Sequence, residues 1–301
     1  MKNLRFVLVL VFILIWGCNS NEKNNQKVVE LELQKVEDSM DTIEPDSVKP
    51  VYVAISTMIS PKRTFFLYEN MLKYIEEKIN VPIKLKQRKT YQEVNDLLEA
   101  GRLDFAYVCS GAYVVARRKF PLKILAAPKI NNKTYYQAYI IVNKYSHVQS
   151  FEELEGASFA FSDPLSNSGY KYVIKLLKEK NTTPEEYFTK TIFTYAHDYS
   201  IQAVARDLVD GATVDGLVYD YLLENEPQKV KDVRIIHKSP LFAIPPFVYS
   251  DNSDPELIKK IRNVLLTMHK DSLGQKVLND LNIDSFELVD ESIYDPLEKF
   301  N

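Results

Sequence analysis

Short apolar runs alternate with amphipathic ones from residue 51 to residue 118, and the alternation restarts after residue 156. Residues 51–55 read as a buried strand. Residues 61–79 carry Phe65, Leu67, Met71, Leu72, Ile75 and Ile79 on or near one helical face. A second strand spans 83–87, a helix spans 91–100 and ends at Gly101, and a third strand spans 104–108. Ser110-Gly111 then opens a helix over 112–118. Strands that alternate with helices in this way require an α/β domain built on a largely parallel sheet. Ligands of such sheets sit beyond the carboxyl ends of the strands. Here those ends are Ser56-Thr57-Met58, Arg88-Lys89-Thr90-Tyr91 and Cys109-Ser110.

Residues 122–130 and 135–143 read as two longer strands around Asn131-Asn132-Lys133. In the second series, strands are expected at 158–161, 191–195, 216–218 and 233–237, and helices at 170–180, 199–209 and 219–225. A strand at 245–249 returns to the first unit, followed by helices to 268 and over 273–281. The expected organisation is two α/β lobes, residues 51–140 with 245–301 and residues 141–244. Crossings near 135–143 and 241–249 join them.

The N-terminus is of another kind. Lys2 and Arg5 precede an apolar run, residues 6–16, which is shorter than the ~20 residues a membrane span needs. A basic start, a short apolar run and the small residue Gly17 describe a secretory signal, residues 1–17. Cys18 directly after Gly17 resembles a bacterial lipoprotein signal, although Trp16 is bulky for that motif. The resemblance implies cleavage before Cys18 and lipid on its sulfur. An ordinary signal peptide with a chance cysteine is the alternative. Residues 18–50 are polar and charged, with too few apolar residues for a core, and read as a flexible tether. A lipidated Cys18 would hold the protein at a membrane's extracytoplasmic face without crossing the bilayer. Only two cysteines are present, so a lipidated Cys18 leaves Cys109 without a disulfide partner, and no cysteine-based metal site is suggested. A net charge of -3 gives no electrostatic footprint for nucleic acid.

The richest stretch is residues 159–170, Phe-Ala-Phe-Ser-Asp-Pro-Leu-Ser-Asn-Ser-Gly-Tyr. A strand breaks at Asp163-Pro164 and is followed by Ser166, Asn167 and Ser168, then by a helix with Tyr170, Val173, Ile174 and Leu177 at helical spacing. Free N–H groups at a helix start, with serine hydroxyls beside them, suit an anion. Simple N-capping by Ser166 or Ser168 is the other reading, because serine is a common cap.

Five segments, taken together, resemble bacterial solute-binding proteins of the phosphate/phosphite/phosphonate transporter family. They are residues 104–113, residues 162–169, Ala196-His197-Asp198, residues 214–220 and residues 239–246. Their order and spacing match over about residues 51–285, and Asp-Pro-x-Ser-x-Ser-Gly after a strand is the most specific of them. The resemblance implies a type II periplasmic-binding fold, with two lobes, a two-crossing hinge and ligand in the cleft. It implies no catalysis, no cofactor and no metal. The implied role is capture of a tetrahedral phosphorus oxyanion (phosphonate, phosphite or phosphate) and its delivery to an ABC permease. Ser166, Asn167 and Ser168 would donate to the oxyanion, joined by Tyr91, by Ser110 with Tyr113 near it, and by His197. Asp220 is the best match for an acidic family position. Independently of the resemblance, a nearby carboxylate, Asp198 or Asp163, could accept from a protonated phosphonate oxygen. Family members that hold an aminoalkyl phosphonate place a carboxylate where this chain has Ala243-Ile244-Pro245-Pro246, which argues against an ammonium-bearing ligand. The protein is expected to be a monomer.

Two rivals belong to other classes. A hydrolase using Ser166 or Ser168 with His197 and Asp198 lacks the G-x-S-x-G elbow. Moreover His197 and Asp198 are adjacent, so their side chains point different ways. A sensor that presents ligand to a membrane histidine kinase or chemoreceptor would use the same fold.

Overall fold

The computed structural model describes residues 49–300. The leader, Cys18 and all of the tether but its last two residues lie outside the described residues. The first series runs β1 (Val51–Ile55), α1 (Pro61–Ile79), β2 (Ile83–Leu85), α2 (Tyr91–Glu99), β3 (Phe105–Tyr107), α3 (Ser110–Ala116) and β4 (Leu122–Lys129). β5 (Tyr135–Tyr136) and β6 (Ala138–Asn143) follow. The second series comprises β7 (Ser158–Phe161), α4 (Tyr172–Glu179), α5 (Pro184–Tyr187), β8 (Lys190–Phe193), α6 (His197–Ala205), β9 (Gly211–Asp215), α7 (Gly216–Asn225) and β10 (Val233–Lys238). The chain closes with β11 (Phe242–Ala243), β12 (Phe247–Ser250), α8 (Pro255–Thr267), α9 (Ser272–Asp280) and β13 (Ser285–Glu287). No helix among the described residues is long and apolar enough to cross a membrane.

Two mixed sheets result. One has the order β13-β4-β12-β3-β1-β2, with β1 parallel to β2 and β3 and with β12 antiparallel to β3 and β4. The other has the order β10-β6-β9-β7-β8, with β7 parallel to β8 and β9. Between them the chain crosses twice, from β4 to β6 and from β10 to β12. The crossings pair as an antiparallel ribbon, Tyr135 opposite Ala243 and Tyr136 opposite Phe242.

Alternation along β1 sends Val51, Val53 and Ile55 to a core with Met71, Ile75, Ile261 and Leu265, and sends Ala54 to a core with Val94, Leu98 and Val114. Both faces of the first sheet are thereby covered by helices. The second sheet is likewise sandwiched. Ile201, Val204 and Leu222 lie on one side, and Phe159, Phe161, Val173 and Leu177 on the other. Local chemistry sets the helix ends. Thr90 and Glu93 form a capping box at α2, Asp254 and Asp271 cap α8 and α9, and Asn80 ends α1 in the left-handed region.

Several expected boundaries move. The strand expected at 216–218 is the first turn of α7, and the strand is β9 just before it. The Asp215 side chain accepts from Leu217 N–H at 2.8 Å and starts the helix there. The expected helix over 170–180 begins as a π-helical turn, Asn167–Lys171, and becomes α-helical at Tyr172. Residues 135–143 are two strands, because the Gln137 carbonyl leaves the ladder to accept from Gly216 N–H at 2.9 Å. α6 starts at His197, after Tyr195 turns the chain with φ 59.

Phe247 is fully buried, with its ring centroid 4.7 Å from Tyr107 and 5.6 Å from Phe286. Phe247→Ala is therefore expected to cost about 3–5 kcal/mol of folding stability in a denaturant titration. A loss under about 1 kcal/mol would mean that this sheet centre repacks.

Candidate functional site

The turn after β7 is held from both lobes. Asp163 is buried. Its Oδ1 accepts from Leu165 N–H at 2.8 Å, and its Oδ2 accepts from Tyr91 N–H, the first residue of α2, at 3.1 Å. The turn therefore docks against the other sheet's helix start. Ser166 is the N-cap, and its Oγ accepts from Gly169 N–H at 3.0 Å. Lys171 N–H reaches back to the Ser166 carbonyl at 3.0 Å, the wide spacing of a π turn, a geometry common at functional sites. Two glycines permit these approaches. A Cβ on Gly111, in the first turn of α3, would stand 2.4 Å from the Leu165 carbonyl oxygen. A Cβ on Gly169 would stand 1.8 Å from Ser162 Oγ and 2.7 Å from the His197 ring.

Facing the turn are Tyr91, Ser110 and Tyr136. Ser110 Oγ lies 3.1 Å from the Tyr136 hydroxyl, and Asn167 Nδ2 donates to that same hydroxyl at 3.5 Å. The Tyr91 hydroxyl is pushed well above its ordinary pKa, first by burial and then by the nearby Cys109, Asp163, Asp215 and Tyr136. Five buried atoms here have no hydrogen-bond partner: Ser56 Oγ, Tyr91 Oη, Ser162 Oγ, Asn167 Oδ1 and Ser168 Oγ. An unpaired buried polar atom costs on the order of 1–3 kcal/mol, so such a cluster calls for a polar ligand.

His197 joins the group at the start of α6. Its Nδ1 accepts from Asp215 N–H at 3.0 Å, which puts the ring proton on Nε2, 3.4 Å from Ser166 Oγ. Complete burial lowers its pKa to about 3, so the ring is neutral near pH 7. Asp215, also fully buried, is raised to about 7 by desolvation. Lys171, 7 % exposed on the same turn, is lowered to about 8 by burial.

Ser166, Asn167, Ser168, Tyr91, Ser110 and His197 thus come together from both sheets. The two acidic residues do not join them. Asp198 Oδ1 accepts from Ser60 N–H at 2.8 Å, and its Oδ2 accepts from Ser60 Oγ at 2.7 Å, with Arg63 Nε at 3.8 Å. The carboxylate expected to meet a ligand oxygen instead ties α6 to the loop before α1. Arg63 extends the tie to Glu226 through both terminal nitrogens. Asp220 Oδ2 accepts from the Tyr139 hydroxyl at 3.0 Å and lines a separate cavity. Cys109 is buried and free. Ser56 was expected only as one of the strand ends, Asp215 only as part of the segment 214–220, and Tyr136 was given no role in the site. Tyr136 sits on a crossing strand, Asp215 looks like an ordinary cap, and only the tertiary fold brings them here.

A family model described as the periplasmic substrate-binding protein of phosphonate ABC transporters matches residues 53–294. The phosphate-import protein PhnD of Mycolicibacterium smegmatis is 24% identical over 232 residues, which cover 73% of this chain and 68% of that protein. The phosphonates-binding periplasmic protein of Escherichia coli is 29% identical over 150 residues, 48% of this chain and 44% of that protein. Among solved structures, a binding-protein component of an ABC phosphonate transporter from Pseudomonas aeruginosa superposes with TM-score 0.80 at 23% identity, covering 84% of this chain and 86% of that one. PhnD1 of Prochlorococcus marinus, solved with methylphosphonate, gives TM-score 0.76 at 18% identity, covering 84% and 97%. These likenesses establish the two-lobed fold of periplasmic binding proteins.

The His197 geometry sets a pH dependence. The unfolded chain takes up this proton below about pH 6.5 and the folded one only near pH 3, so His197 removes stability as pH falls through that window. Asp215 acts in the opposite sense, removing stability as pH rises from about 4 towards 7. Nitrogen-15 NMR is expected to find His197 as a neutral Nε2–H ring at pH 5. An imidazolium signal at that pH would contradict the assignment.

Proposed function

The chain belongs to the family of periplasmic substrate-binding proteins of phosphonate ABC transporters, and on that footing we propose that its buried donor cluster grips a tetrahedral phosphorus oxyanion. It is a substrate-binding component of an ABC importer and works outside the cytoplasm. The observation that carries the ligand assignment is the set of unpartnered buried hydroxyls of Ser162 and Ser168 on the turn and of Tyr91 and Ser56. A desolvated oxyanion needs many well-aimed donors more than net positive charge. Hydroxyls of Ser168 and Tyr91, the Asn167 amide N–H and the Nε2–H of His197 supply them.

In this reading the site is assembled only when the lobes meet. The turn and His197 belong to the second sheet's lobe, and Tyr91 and Ser110 to the first. An anion bridging both sets stabilises the closed form. We take the lobes as residues 51–140 with 245–301 and residues 141–244, with the first edge drawn back to the ribbon, before Ala138, because β6 pairs wholly in the second sheet. Asp198 helps closure through Ser60 rather than by touching ligand. Lipid attachment at Cys18 would tether a monomeric binding protein near its permease. The sensing alternative finds no support in the family or its relatives.

Catalysis is disfavoured by the same geometry. A serine nucleophile needs a base with a free lone pair. The His197 nitrogen that faces Ser166 carries the proton, and the other nitrogen already accepts from Asp215 N–H.

Ser168→Ala and Tyr91→Phe each delete a hydroxyl with no partner in the fold. Calorimetry should find oxyanion affinity about ten- to a hundredfold weaker, from roughly 1.5–3 kcal/mol per donor lost. Thermal midpoints should not fall. Unchanged affinity in both variants would remove the site. Asp198→Asn is expected to weaken binding about tenfold while the pH dependence and anion selectivity stay as in the parent. A shift in either would return this carboxylate to direct contact with the ligand.

A further inference from the structure

Two loops meet beside the donor cluster. One joins β2 to α2 on the first lobe, and the other joins β8 to α6 on the second. In each, the chain passes from the surface to the buried cluster within two residues. Lys89 is exposed and Tyr91 is buried; Tyr195 is half-buried and His197 is buried. Lys89 and Tyr195 therefore stand at the rim, just outside residues of the cluster. They touch across the lobes: Lys89 Nζ lies over the Tyr195 ring, 4.7 Å from its centroid.

Both partners are held in place. Thr57 Oγ1 donates to the Arg88 carbonyl at 2.6 Å, and Gln87 Nε2 donates to the Pro61 carbonyl at 3.1 Å, which pins the first loop to the segment after β1. On the other side, Tyr195 N–H donates to the Ser162 carbonyl at 2.7 Å. Tyr195 sits in the left-handed region, at φ 59. A glycine would hold that backbone at lower cost, and residues strained in this way cluster at ligand clamps. What tyrosine adds is a π face beneath an ammonium.

Charge gives the pair a further task. Hydroxyls, an amide and a neutral imidazole act at hydrogen-bond range and pull little on an anion still in solvent. The buried Asp163 and Asp215 beside them repel an anion when ionised. Lys171 is itself buried. On the rim loop, Arg88 lies near Glu93, whereas no carboxylate among the described residues pairs with the Lys89 ammonium. An exposed, unpaired cation at the mouth of a cleft raises the local concentration of anions.

We propose that Lys89 and Tyr195 form a gate over the donor cluster. With the lobes apart, the Lys89 ammonium draws the anion into the cleft. As they close, it seats on the Tyr195 ring and retards escape. Both are positioning residues that act without touching the ligand. The proposal rests on the oxyanion reading of the cluster and adds to it what sets the rates of entry and exit.

Calorimetry with phosphate and methylphosphonate, then stopped-flow kinetics at low and high salt with whichever anion binds, tests it. Lys89→Gln is expected to slow association roughly threefold or more at low salt, and the difference should vanish at high salt, where the charge is screened. Tyr195→Gly suits the left-handed backbone and removes the ring. It should leave association unchanged and speed dissociation about two- to fivefold, the effect of one exposed cation–π contact. Tyr195→Leu serves if that variant does not fold. Lys89→Arg keeps both charge and stacking and should behave as the parent. The gate is overturned, with the oxyanion site intact, if Lys89→Gln leaves association unchanged at low salt or slows it equally at both salts. Dissociation untouched by loss of the ring overturns it too. Should neither anion bind the parent protein, the donor-cluster reading itself has failed, and the gate with it.

Discussion

Ser162, Ser166, Asn167 and Ser168 carry hydroxyl and amide groups into a part of the fold that water does not reach, and each is essentially unexposed. Some of that polarity is satisfied locally: Ser166 caps its own turn, and the Ser168 carbonyl accepts from Thr213 at 2.5 Å. The rest is not. Burial without partners costs free energy, which a bound polar group would offset. The surrounding architecture follows from that demand. Glycines at 111 and 169 let backbone and imidazole approach the turn, and Asp163 fixes it to α2.

The two serine readings of the sequence prove to be complementary. Ser166 is a cap, as its residue type favours, and Ser168 is left free by the same turn. A π turn explains the division, since its wider spacing swings successive side chains away from the positions an α-helix would give them. No sequence rule used here anticipates that extra residue per turn. The strand–helix alternation, by contrast, was legible along most of the body, because hydrophobic period depends only on local side chains. Its failure at residues 216–218 is instructive. Leu217 and Val218 look strand-like, yet Asp215 caps the backbone just before them and the run becomes helix. α5 and β13 were missed because each spans fewer than five residues, too few to show a hydrophobic period, and the closing 3₁₀ segment Glu291–Phe300 was missed as well.

Of the candidate residues, the uncharged ones and His197 gather as their types suggested, and Asp198 and Asp220 do not. The reason is electrostatic. A carboxylate beside a dianion would need a shared proton, whereas Asp198 finds two serine donors and a guanidinium within 3.8 Å on the facing lobe. Adjacent residues of one helix start thus serve different ends. His197 looks into the turn, and Asp198 looks across to α1. The state of the imidazole follows from a bond no sequence could announce, the N–H of a residue eighteen positions away held at 3.0 Å.

One hydroxyl belongs to both halves of the site and to neither lobe's sheet. Tyr136 lies on the crossing ribbon opposite Phe242, while its oxygen sits between Ser110 and Asn167. If the proposed lobes hinge on this ribbon, axle and site lining are the same strand. Rotation about that axle would draw the hydroxyl away from at least one neighbour, so that opening angle and grip would be geared together.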